Sequence, residues 1–517
     1  MNKISPFPRK RESKNKVPDQ VRDGNSTLWL VPILVVATLL RFYNNTAVAL
    51  WHDEAFSALY IRYSWGEMMY RIGLDVHPPL YYWILRLWSY IFGSGLLSLR
   101  GLSILFGVLT VYAGYLFARK AFNNEKLAMV TAFLLAINPF QIQYSLEARM
   151  YTLGTFLVLI SSWQLLRALE SNKLKDWIIY GLLTAAGLYT HYYLVFSIAA
   201  QGLYFLYYVY QSRKLSDSLT FKGLGSYVFA AVLYLPWLPT FLTQIKRVEA
   251  AYWIPAPDRW SVPSTIWKMV FGGQGNDHIT LFVSAVIAIV LLFYFFRETK
   301  PPIRWFIVLG VAVPFIGALL LSFKQAIYLD RYFVFASLYF TILIAATLFL
   351  VPKYTTRRAL VVIFAAMSLI LFFKNWQDLN VKNLFFNRAV NNKPGMAGAS
   401  AFINNNARST DKIYVGSSFV YFTFKYYNHT NIPPLLYAPG SLESIPHFSG
   451  TAILTNDDLI LDFHEAKKND TVWLLWTTGF GGSKPNVPGN WNVVAEKDFP
   501  DTPGFKGNIV VTEYHID

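Results

Sequence analysis

Two adjacent carboxylates, Asp53 and Glu54, follow the first strongly apolar segment of the chain, in the stretch Trp51-His52-Asp53-Glu54. Ionisable groups beside a bilayer are costly to keep, so adjacent acids at such a place usually carry chemistry. Further polar clusters interrupt the apolar sequence at Asp75–Pro79, Glu147–Tyr151, Thr190–Tyr193, Gln274–His278 and Asp330–Tyr332. If all of them lie on one face of a membrane, they can form a single active site.

The composition indicates which class of protein must position these residues. Of the 517 residues, 54% are hydrophobic and only 15% are charged. This is far more apolar than an average soluble protein, and we predict an α-helical polytopic membrane protein. The chain has no cysteine, which excludes disulfides, thiolate catalysis and cysteine metal sites but does not fix the compartment.

The apolar segments predict about eleven transmembrane helices, because each is near the length that crosses the hydrocarbon core. They cover roughly residues 28–43, 101–118, 127–142, 152–168, 177–190, 193–210, 224–243, 279–296, 305–323, 332–351 and 359–374. The basic leader, residues 1–27, runs into the first of them without a cleavage site, so we expect that segment to be an uncleaved span.

Charge predicts the orientation of these spans. Short basic connections lie between alternate pairs of apolar segments, and the positive-inside rule places them in the cytoplasm together with the leader. They carry most of the formal net charge of +16, so no nucleic-acid partner is needed to explain it. This topology requires residues 80–92, which are short and contain Arg86, to lie flat on the outer surface as a helix. We expect a multi-pass inner (plasma) membrane protein with a cytoplasmic N-terminus.

The predicted organisation has three parts: the leader, a transmembrane domain over residues 28–374 and a soluble domain over residues 375–517. An outer loop, residues 44–100, carries the acidic pair. The soluble domain falls outside the cytoplasm, after an odd number of crossings. Short β-like runs at 412–416, 472–477 and 508–514 alternate with helical stretches at 400–406 and 419–427, which predicts an α/β domain.

The motifs resemble a known family in their order. After the first span come the acidic pair, a His-Pro-Pro-Leu-Tyr run, an aromatic surface segment, Leu99-Arg100, a Ser-x-Glu-x-Arg-x-Tyr run at 145–151 and Thr-His-Tyr-Tyr at 190–193. This order resembles the membrane-embedded glycosyltransferases of the GT-C fold. Within them it is most similar to the branch of protein O-mannosyltransferases and lipid A aminoarabinose and galacturonic acid transferases. The match is good over residues 28–210 and only general beyond.

The resemblance implies an inverting transfer of sugar from a polyprenyl-phosphate donor to an acceptor hydroxyl at the outer face of the membrane. Asp53 is then the candidate general base, with Glu54 beside it as a second catalytic acid. The phosphate leaving group needs fixed cations, which guanidinium groups suit. His77, Arg149 and Arg331 are the expected phosphate ligands, and the expected substrate contacts are Glu147, Tyr151, His191 and Asp330.

His77 departs from the aminoarabinose branch, which has a lysine before the two prolines. An imidazole there can donate to phosphate or bind a divalent cation such as Mg²⁺ or Mn²⁺ together with Glu54 or His278. The sequence leaves both possibilities open. The expected partners are therefore the lipid-linked sugar donor, membrane lipids, an acceptor of unknown identity and, in the second case, a metal ion.

Each candidate also has a purely structural interpretation. The acidic pair can cap the following helix, His77 can belong to a rigid turn, and His191 can be one residue of an interfacial aromatic belt. Glu147 and Arg149 can form a salt bridge, and Asp330 and Arg331 can anchor the end of a span. For the whole chain, the alternative functions are a transporter or flippase of a lipid-linked glycan, and a binding module on a membrane anchor.

Overall fold

The computed structural model describes most of the chain, with gaps. The described residues are 27–43, 45–46, 48–212, 218–250, 253–272, 278–298, 301–350, 353–363, 366, 369, 395–440, 442, 445–479, 482–500 and 507–517. Helices dominate up to residue 363, and a mixed α/β region follows from residue 395. The predicted leader lies outside the described residues except for Thr27.

The helical part has short helices over the predicted outer loop and longer ones after it. Their bounds are α1 Leu30–Phe42, α2 His52–Tyr60, α3 Trp65–Leu74, α4 Leu80–Phe92, α5 Leu96–Phe122, α6 Glu125–Ile137, α7 Pro139–Ser145, α8 Tyr151–Ser171, α9 Leu174–Leu188, α10 Leu194–Ser212, α11 Ser218–Tyr234, α12 Leu238–Ala250, α13 Ser261–Phe271, α14 His278–Glu298, α15 Pro301–Ser322 and α16 Val334–Leu350. Residues 354–363 form a further helix, α17.

Several of these helices can cross a membrane. Among the described residues, five are long and apolar enough, at 96–122, 151–171, 218–249, 302–322 and 330–349, and the bent pair α6–α7 makes a sixth. These helices support a multi-pass membrane protein, whereas the count of about eleven spans stays a prediction. The last expected span, 359–374, lies largely outside the described residues. The segment expected on the outer surface is helix α4, whose 13 residues measure about 20 Å and are too short to cross.

The junction between α6 and α7 is a sharp bend at Pro139. The two helices meet at 57°, because Pro139 lacks the amide hydrogen needed to continue α6. Asn138 caps the new helix, its Oδ1 accepting from the amide of Gln141 at 2.9 Å. All seven residues of α7 are buried, and its last residue, Ser145, accepts a hydrogen bond from Arg41 at the end of α1.

The α/β region contains a six-stranded sheet in the order β3-β2-β1-β4-β6-β5. The strands are β1 Lys412–Val415, β2 Leu435–Tyr437, β3 Leu459–Ile460, β4 Thr471–Thr477, β5 Trp491–Pro500 and β6 Asn508–Ile516, with helices α18 Gly395–Asn406 and α19 Ser418–Tyr427. Strands β1 to β4 pair in parallel, and β6 runs antiparallel to both β4 and β5. All three predicted β-runs are strands, and both predicted helical stretches are helices.

Helix α19 joins this region to the outer loop. Tyr427 accepts a hydrogen bond from the amide of Leu50, and Tyr426 donates to the carbonyl of Ser94 at 2.9 Å. The ring of Phe422 packs against Phe56 of α2, with centroids 4.6 Å apart. The α/β region therefore covers the helix that carries the acidic pair. That residues 375–517 fold as a separate soluble domain stays a prediction.

Candidate active site

Asp53 and Glu54 lie in the first turn of α2 and face different surroundings, because consecutive residues of a helix point about 100° apart. Glu54 is 1% exposed, and both of its carboxylate oxygens accept from Arg100 of α5, at 2.7 and 2.8 Å. It also accepts from the amide of Ala148 at 2.8 Å. Glu54 therefore fixes α2 against α5 and the backbone at Ala148.

Asp53 faces a cavity and meets a cation there. Its Oδ2 lies 3.3 Å from Nη1 of Arg331, which precedes α16. The Arg331 guanidinium also lies over the rings of Trp51 and Trp253, at 5.4 and 5.8 Å from their centroids. Arginine is suited to this position because its planar cation can stack on aromatic rings while it binds oxygen anions.

Arg149 forms the second cationic position, and a chain of hydrogen bonds orients it. Its Nη1 donates to the carbonyl of Asp53 at 3.1 Å and to the hydroxyl of Tyr82 at 3.2 Å. Its Nη2 lies 3.1 Å from Nε2 of His77, whose Nδ1 lies 3.0 Å from Asp75 Oδ2. Since arginine has no acceptor, Nε2 must accept, and His77 carries its proton on Nδ1. Asp75 thus fixes the tautomer of His77 whose Nε2 accepts the hydrogen bond from Arg149.

The Asp75 carboxyl is suited to this role. Burial disfavours its charged form, but the interaction with His77 and the nearby charge of Arg149 outweigh burial and lower its pKa to about 2. Asp75 therefore stays a carboxylate acceptor throughout the physiological range. The sequence placed Asp75 in a polar cluster but did not identify it as a site residue, although its spacing of two from His77 was a visible signal.

His191 presents a hydrogen-bond donor to the same cavity. Its Nδ1 accepts from the amide of Tyr193 at 3.1 Å, so the proton lies on Nε2. That Nε2 is buried and has no hydrogen-bond partner among the described residues. Burial, together with the charges of Arg149 and Arg331, lowers the pKa of His191 well below its usual value. The imidazole is therefore a neutral donor near neutral pH.

These side chains surround one cavity of about 470 Å³. The lining includes six residues predicted from the sequence: Asp53, His77, Arg149, Tyr151, His191 and Arg331. It also includes apolar side chains, among them Val195, Phe196, Phe241, Ile245, Val248, Ile254 and Leu321. The cavity can hold an anionic group against its cations and a hydrocarbon chain against these apolar side chains.

The α/β region contributes part of the cavity wall through residues that were not predicted as site residues. His447, Phe448 and Gly450 line the cavity beside His52 and Phe56 of α2. Gly450 has φ +101°, and a Cβ on it would collide with the rings of Phe422 and Phe56. A residue without a side chain is needed at this close approach.

Four predicted site residues are not in the lining of this cavity: Glu54, Glu147, His278 and Asp330. Glu54 does not line the cavity, and Arg100 and the backbone occupy its oxygens, so its expected catalytic role stays a prediction. Asp330 points away from its neighbour Arg331 and pairs with Lys268 of α13. It lines a smaller, separate pocket of about 320 Å³ that includes Ser261, not the main cavity.

Glu147 is buried next to the site without lining it. Among the described residues neither of its carboxyl oxygens has a hydrogen-bond partner, and it does not form the salt bridge with Arg149 that the sequence allowed. Burial raises the pKa of Glu147 well above its usual value, and the charge of Arg331 offsets only part of this effect. Glu147 is not among the residues that line the cavity, and its expected contact with substrate stays a prediction.

The metal set expected from the sequence does not form. Glu54 is held by Arg100, His77 is held between Asp75 and Arg149, and the ring of His278 lies 5.4 Å from that of Trp260 at the start of α14. In the part of the chain that the structure describes, no group of three or more His, Asp or Glu side chains is arranged to hold a metal ion. These residues therefore do not fit a shared divalent cation.

Comparison with known proteins supports the resemblance. Residues 76–239 match the dolichyl-phosphate-mannose-protein mannosyltransferase family. The undecaprenyl phosphate-alpha-4-amino-4-deoxy-L-arabinose arabinosyl transferase of Pseudomonas aeruginosa is 28% identical over 181 residues, which is 34% of this chain and 32% of that protein. The aligned region therefore spans about a third of the length of this relative.

Solved structures extend the comparison to the fold of the whole chain. ArnT from Cupriavidus metallidurans bound to undecaprenyl phosphate superposes with a TM-score of 0.59 at 14% identity, covering 94% of this chain and 98% of that one. The apo oligosaccharyltransferase of Archaeoglobus fulgidus gives a TM-score of 0.50 at 13% identity, covering 87% and 69%.

The fold is that of the GT-C class of membrane glycosyltransferases. Within this class, the chain resembles the branch of the aminoarabinose and O-mannosyl transferases, as the order of motifs predicted, and that prediction is confirmed.

Proposed function

We propose that the protein transfers a sugar, with inversion, from a polyprenyl-phosphate donor to an acceptor hydroxyl at the outer membrane-water interface, with Asp53 as the general base. One observation carries the proposal: the Asp53 carboxylate and the guanidinium groups of Arg149 and Arg331 line one cavity that continues into an apolar wall. A base, two phosphate-binding cations and a place for a lipid chain are what this reaction requires.

The chemistry follows from these groups. The acceptor oxygen forms a bond to the anomeric carbon while Asp53 takes its proton. The bond from that carbon to the phosphate oxygen breaks, and its electron pair stays on the phosphate. Arg331 and Arg149 are placed to stabilise the charge that develops on the departing phosphate, because fixed cations in a site with little water act without reorganisation.

Unpaired donors give further support. Nε of Arg149 is buried without a partner among the described residues, as is Nε2 of His191. A buried donor without an acceptor costs about 1–3 kcal/mol, so such groups in an active site are expected to be satisfied by substrate. A phosphate or a sugar hydroxyl in the cavity would supply the missing acceptors.

The apolar wall suits the lipid part of the donor. Its side chains come from α10, α12, α15 and the segment between α12 and α13. A prenyl chain against these residues would place its phosphate near Arg331. The donor class named for the similar proteins, a sugar on undecaprenyl phosphate or dolichyl phosphate, agrees with this arrangement.

The transporter alternative receives no comparable support. Transport sites usually lie near the bilayer midplane, with ionisable residues along the spans. In α5 and α8 the charged residues lie near the helix ends, and α16 has none. The ionisable residues of the candidate site gather at one end of these helices.

We infer that the α/β region helps to admit or position the acceptor, because His447 and Phe448 line the cavity from that side. A protein lacking residues 395–517 would expose Phe56 and lose part of the cavity wall, so acceptor preference is the property expected to change. Unchanged acceptor preference in such a protein would remove this role.

The reaction itself is tested by replacing Asp53 with Asn in the full-length protein. Asn keeps the size of the side chain but cannot take a proton, so transfer from a polyprenyl-phosphate sugar should fall by roughly 10²-fold or more. The matched control is Glu249→Gln at the exposed rim of the same cavity, which should retain transfer. Mass spectrometry of cell-envelope glycans identifies the sugar and acceptor. Near-normal transfer by a correctly inserted Asp53→Asn protein would refute the assignment.

A further inference from the structure

A second cavity, of about 610 Å³, lies between the ends of α5, α8 and α9. It is far from the candidate active site. Helix α5 carries Arg100 next to Glu54 and Lys120 in the second cavity, and at 1.5 Å per residue these positions are about 30 Å apart. Helix α8 likewise begins at Tyr151 in the active site and ends at Ser171 in the second cavity. The two cavities therefore open at opposite ends of the same helices.

The second cavity is electropositive. Four cations line it, Lys120, Arg167, Lys173 and Lys175, against two acids. Both acids already have partners: Glu170 pairs with Lys120, while Asp176 accepts from Ser171, Gln164 and Arg167.

Lys173 and Lys175 are the available cations of this cavity. Among the described residues, neither of them forms an ion pair, and both are exposed. Lys173 also precedes α9 without a side-chain cap, so the positive end of the helix dipole adds to the field. An anion is the complementary ligand.

The surroundings of the cavity indicate an amphiphile and not a free anion. Leu174, Ile178 and Leu182 follow at intervals of four along α9, so they share one face, and they are 58%, 42% and 48% exposed. Ile179 lines the cavity itself. Trp163 lines it too, with the Arg167 guanidinium 4.8 Å from its ring, a pairing typical of the level of the lipid headgroups. The charged cavity therefore adjoins an apolar face that is open to the bilayer.

We propose that this cavity binds the phosphate headgroup of an anionic glycerophospholipid, with Lys173 and Lys175 as its ligands and an acyl chain along Leu174, Ile178 and Leu182. Basic pockets between membrane helices recognise anionic lipids by this combination of charge and apolar surface. By the predicted topology the site lies in the cytoplasmic leaflet. It is separate from the donor site, since the two lie at opposite ends of the helices.

The test measures bound lipid by native mass spectrometry of the full-length protein in detergent, titrated with phosphatidylglycerol or with phosphatidylcholine. The protein should retain phosphatidylglycerol in preference to phosphatidylcholine. The double variant Lys173→Ala/Lys175→Ala should bind phosphatidylglycerol at least tenfold more weakly. The control Lys126→Ala/Lys353→Ala removes two exposed lysines from the connections predicted to face the same side, and it should bind as the unmodified protein does.

Three results would overturn the proposal: equal retention of the two lipids by the unmodified protein, equal weakening in the control variant, or release of phosphatidylglycerol by inorganic phosphate at matched concentration. The last would assign the cavity to a free phosphate ion. Both variants should keep their sugar-transfer activity and thermal unfolding midpoint. If the Lys173→Ala/Lys175→Ala protein fails to fold, the lipid preference of the unmodified protein decides the question alone.

Discussion

Arg100 holds both carboxylate oxygens of Glu54 in a buried ion pair, with its Nε and Nη2 at 2.8 and 2.7 Å. Its Nη1 donates to the carbonyls of Asn45 and Val48, which fixes the chain that leads into α2. Because of this ion pair, the two adjacent acids have different surroundings. Glu54 secures the helix, and Asp53 is left to face the cavity.

Removing Arg100 should destabilise the protein strongly. In the Arg100→Ala variant Glu54 becomes a buried charge without its cationic partner, which costs about 3–5 kcal/mol. Arg119→Ala is the control, since Arg119 is an exposed member of the ion pair with Glu125 and should cost less than about 1 kcal/mol. Thermal unfolding in detergent compares the two. Equal shifts of the midpoint would contradict a structural role for the buried pair.

Arg149 should be required for the rate of transfer as well as for binding of the donor. Arg149→Lys keeps the positive charge but cannot reach Asp53, Tyr82 and His77 together. We expect kcat to fall by roughly 10²–10³-fold, as when an oxyanion donor is removed. Steady-state kinetics with a polyprenyl-phosphate sugar provide the measurement, and Arg62→Lys, at an exposed arginine of the same loop, is the control. A change confined to KM would argue against a role in the transition state.

His77 should act by positioning Arg149. His77→Ala removes the acceptor of Arg149 Nη2, and we expect kcat to fall about tenfold, the value of one lost hydrogen bond. His77→Gln can accept from Arg149 and donate to Asp75, so it should recover much of the loss. A direct phosphate ligand would give another pattern, in which both variants raise KM for the donor alike and Gln rescues nothing.

Glu147 should make the stability of the protein depend on pH. Because burial raises its pKa, the folded chain keeps a proton that the unfolded chain releases near pH 4.3. The free energy of unfolding should therefore fall as pH rises from that value towards the folded pKa and change no further above it. Glu147→Gln, which resembles the protonated form, should lack this slope.

The measurement for Glu147 is the thermal midpoint as a function of pH, compared between the unmodified protein and the Gln variant. Glu465→Gln, at an exposed carboxyl of the α/β region, is the control and should leave the curve unchanged. Parallel curves for the unmodified protein and Glu147→Gln would mean that Glu147 has an ordinary carboxyl environment.

Local sequence determined the elements. The segment over 80–92 is helix α4 with the expected bounds, and the β-runs at 412–416, 472–477 and 508–514 are strands. Hydrophobic period and length depend only on neighbouring residues, so they can be read without tertiary contacts. Six of the expected site residues also line one cavity.

Only the tertiary structure decided which way the side chains of the site point and which residues they pair with. Asp53 and Glu54 are adjacent in sequence, but only Asp53 lines the cavity, while Glu54 pairs with a buried arginine. Asp330 and Arg331 are also adjacent, but only Arg331 lines the cavity, while Asp330 pairs with a lysine of another helix. Those partners, Arg100 and Lys268, are distant in sequence. His447 reaches the cavity from nearly four hundred residues beyond His52. The sequence thus determined which chemical groups are available to the site. Long-range packing selected which of their atoms face the cavity, because burial energy depends on neighbours that only the folded chain brings together.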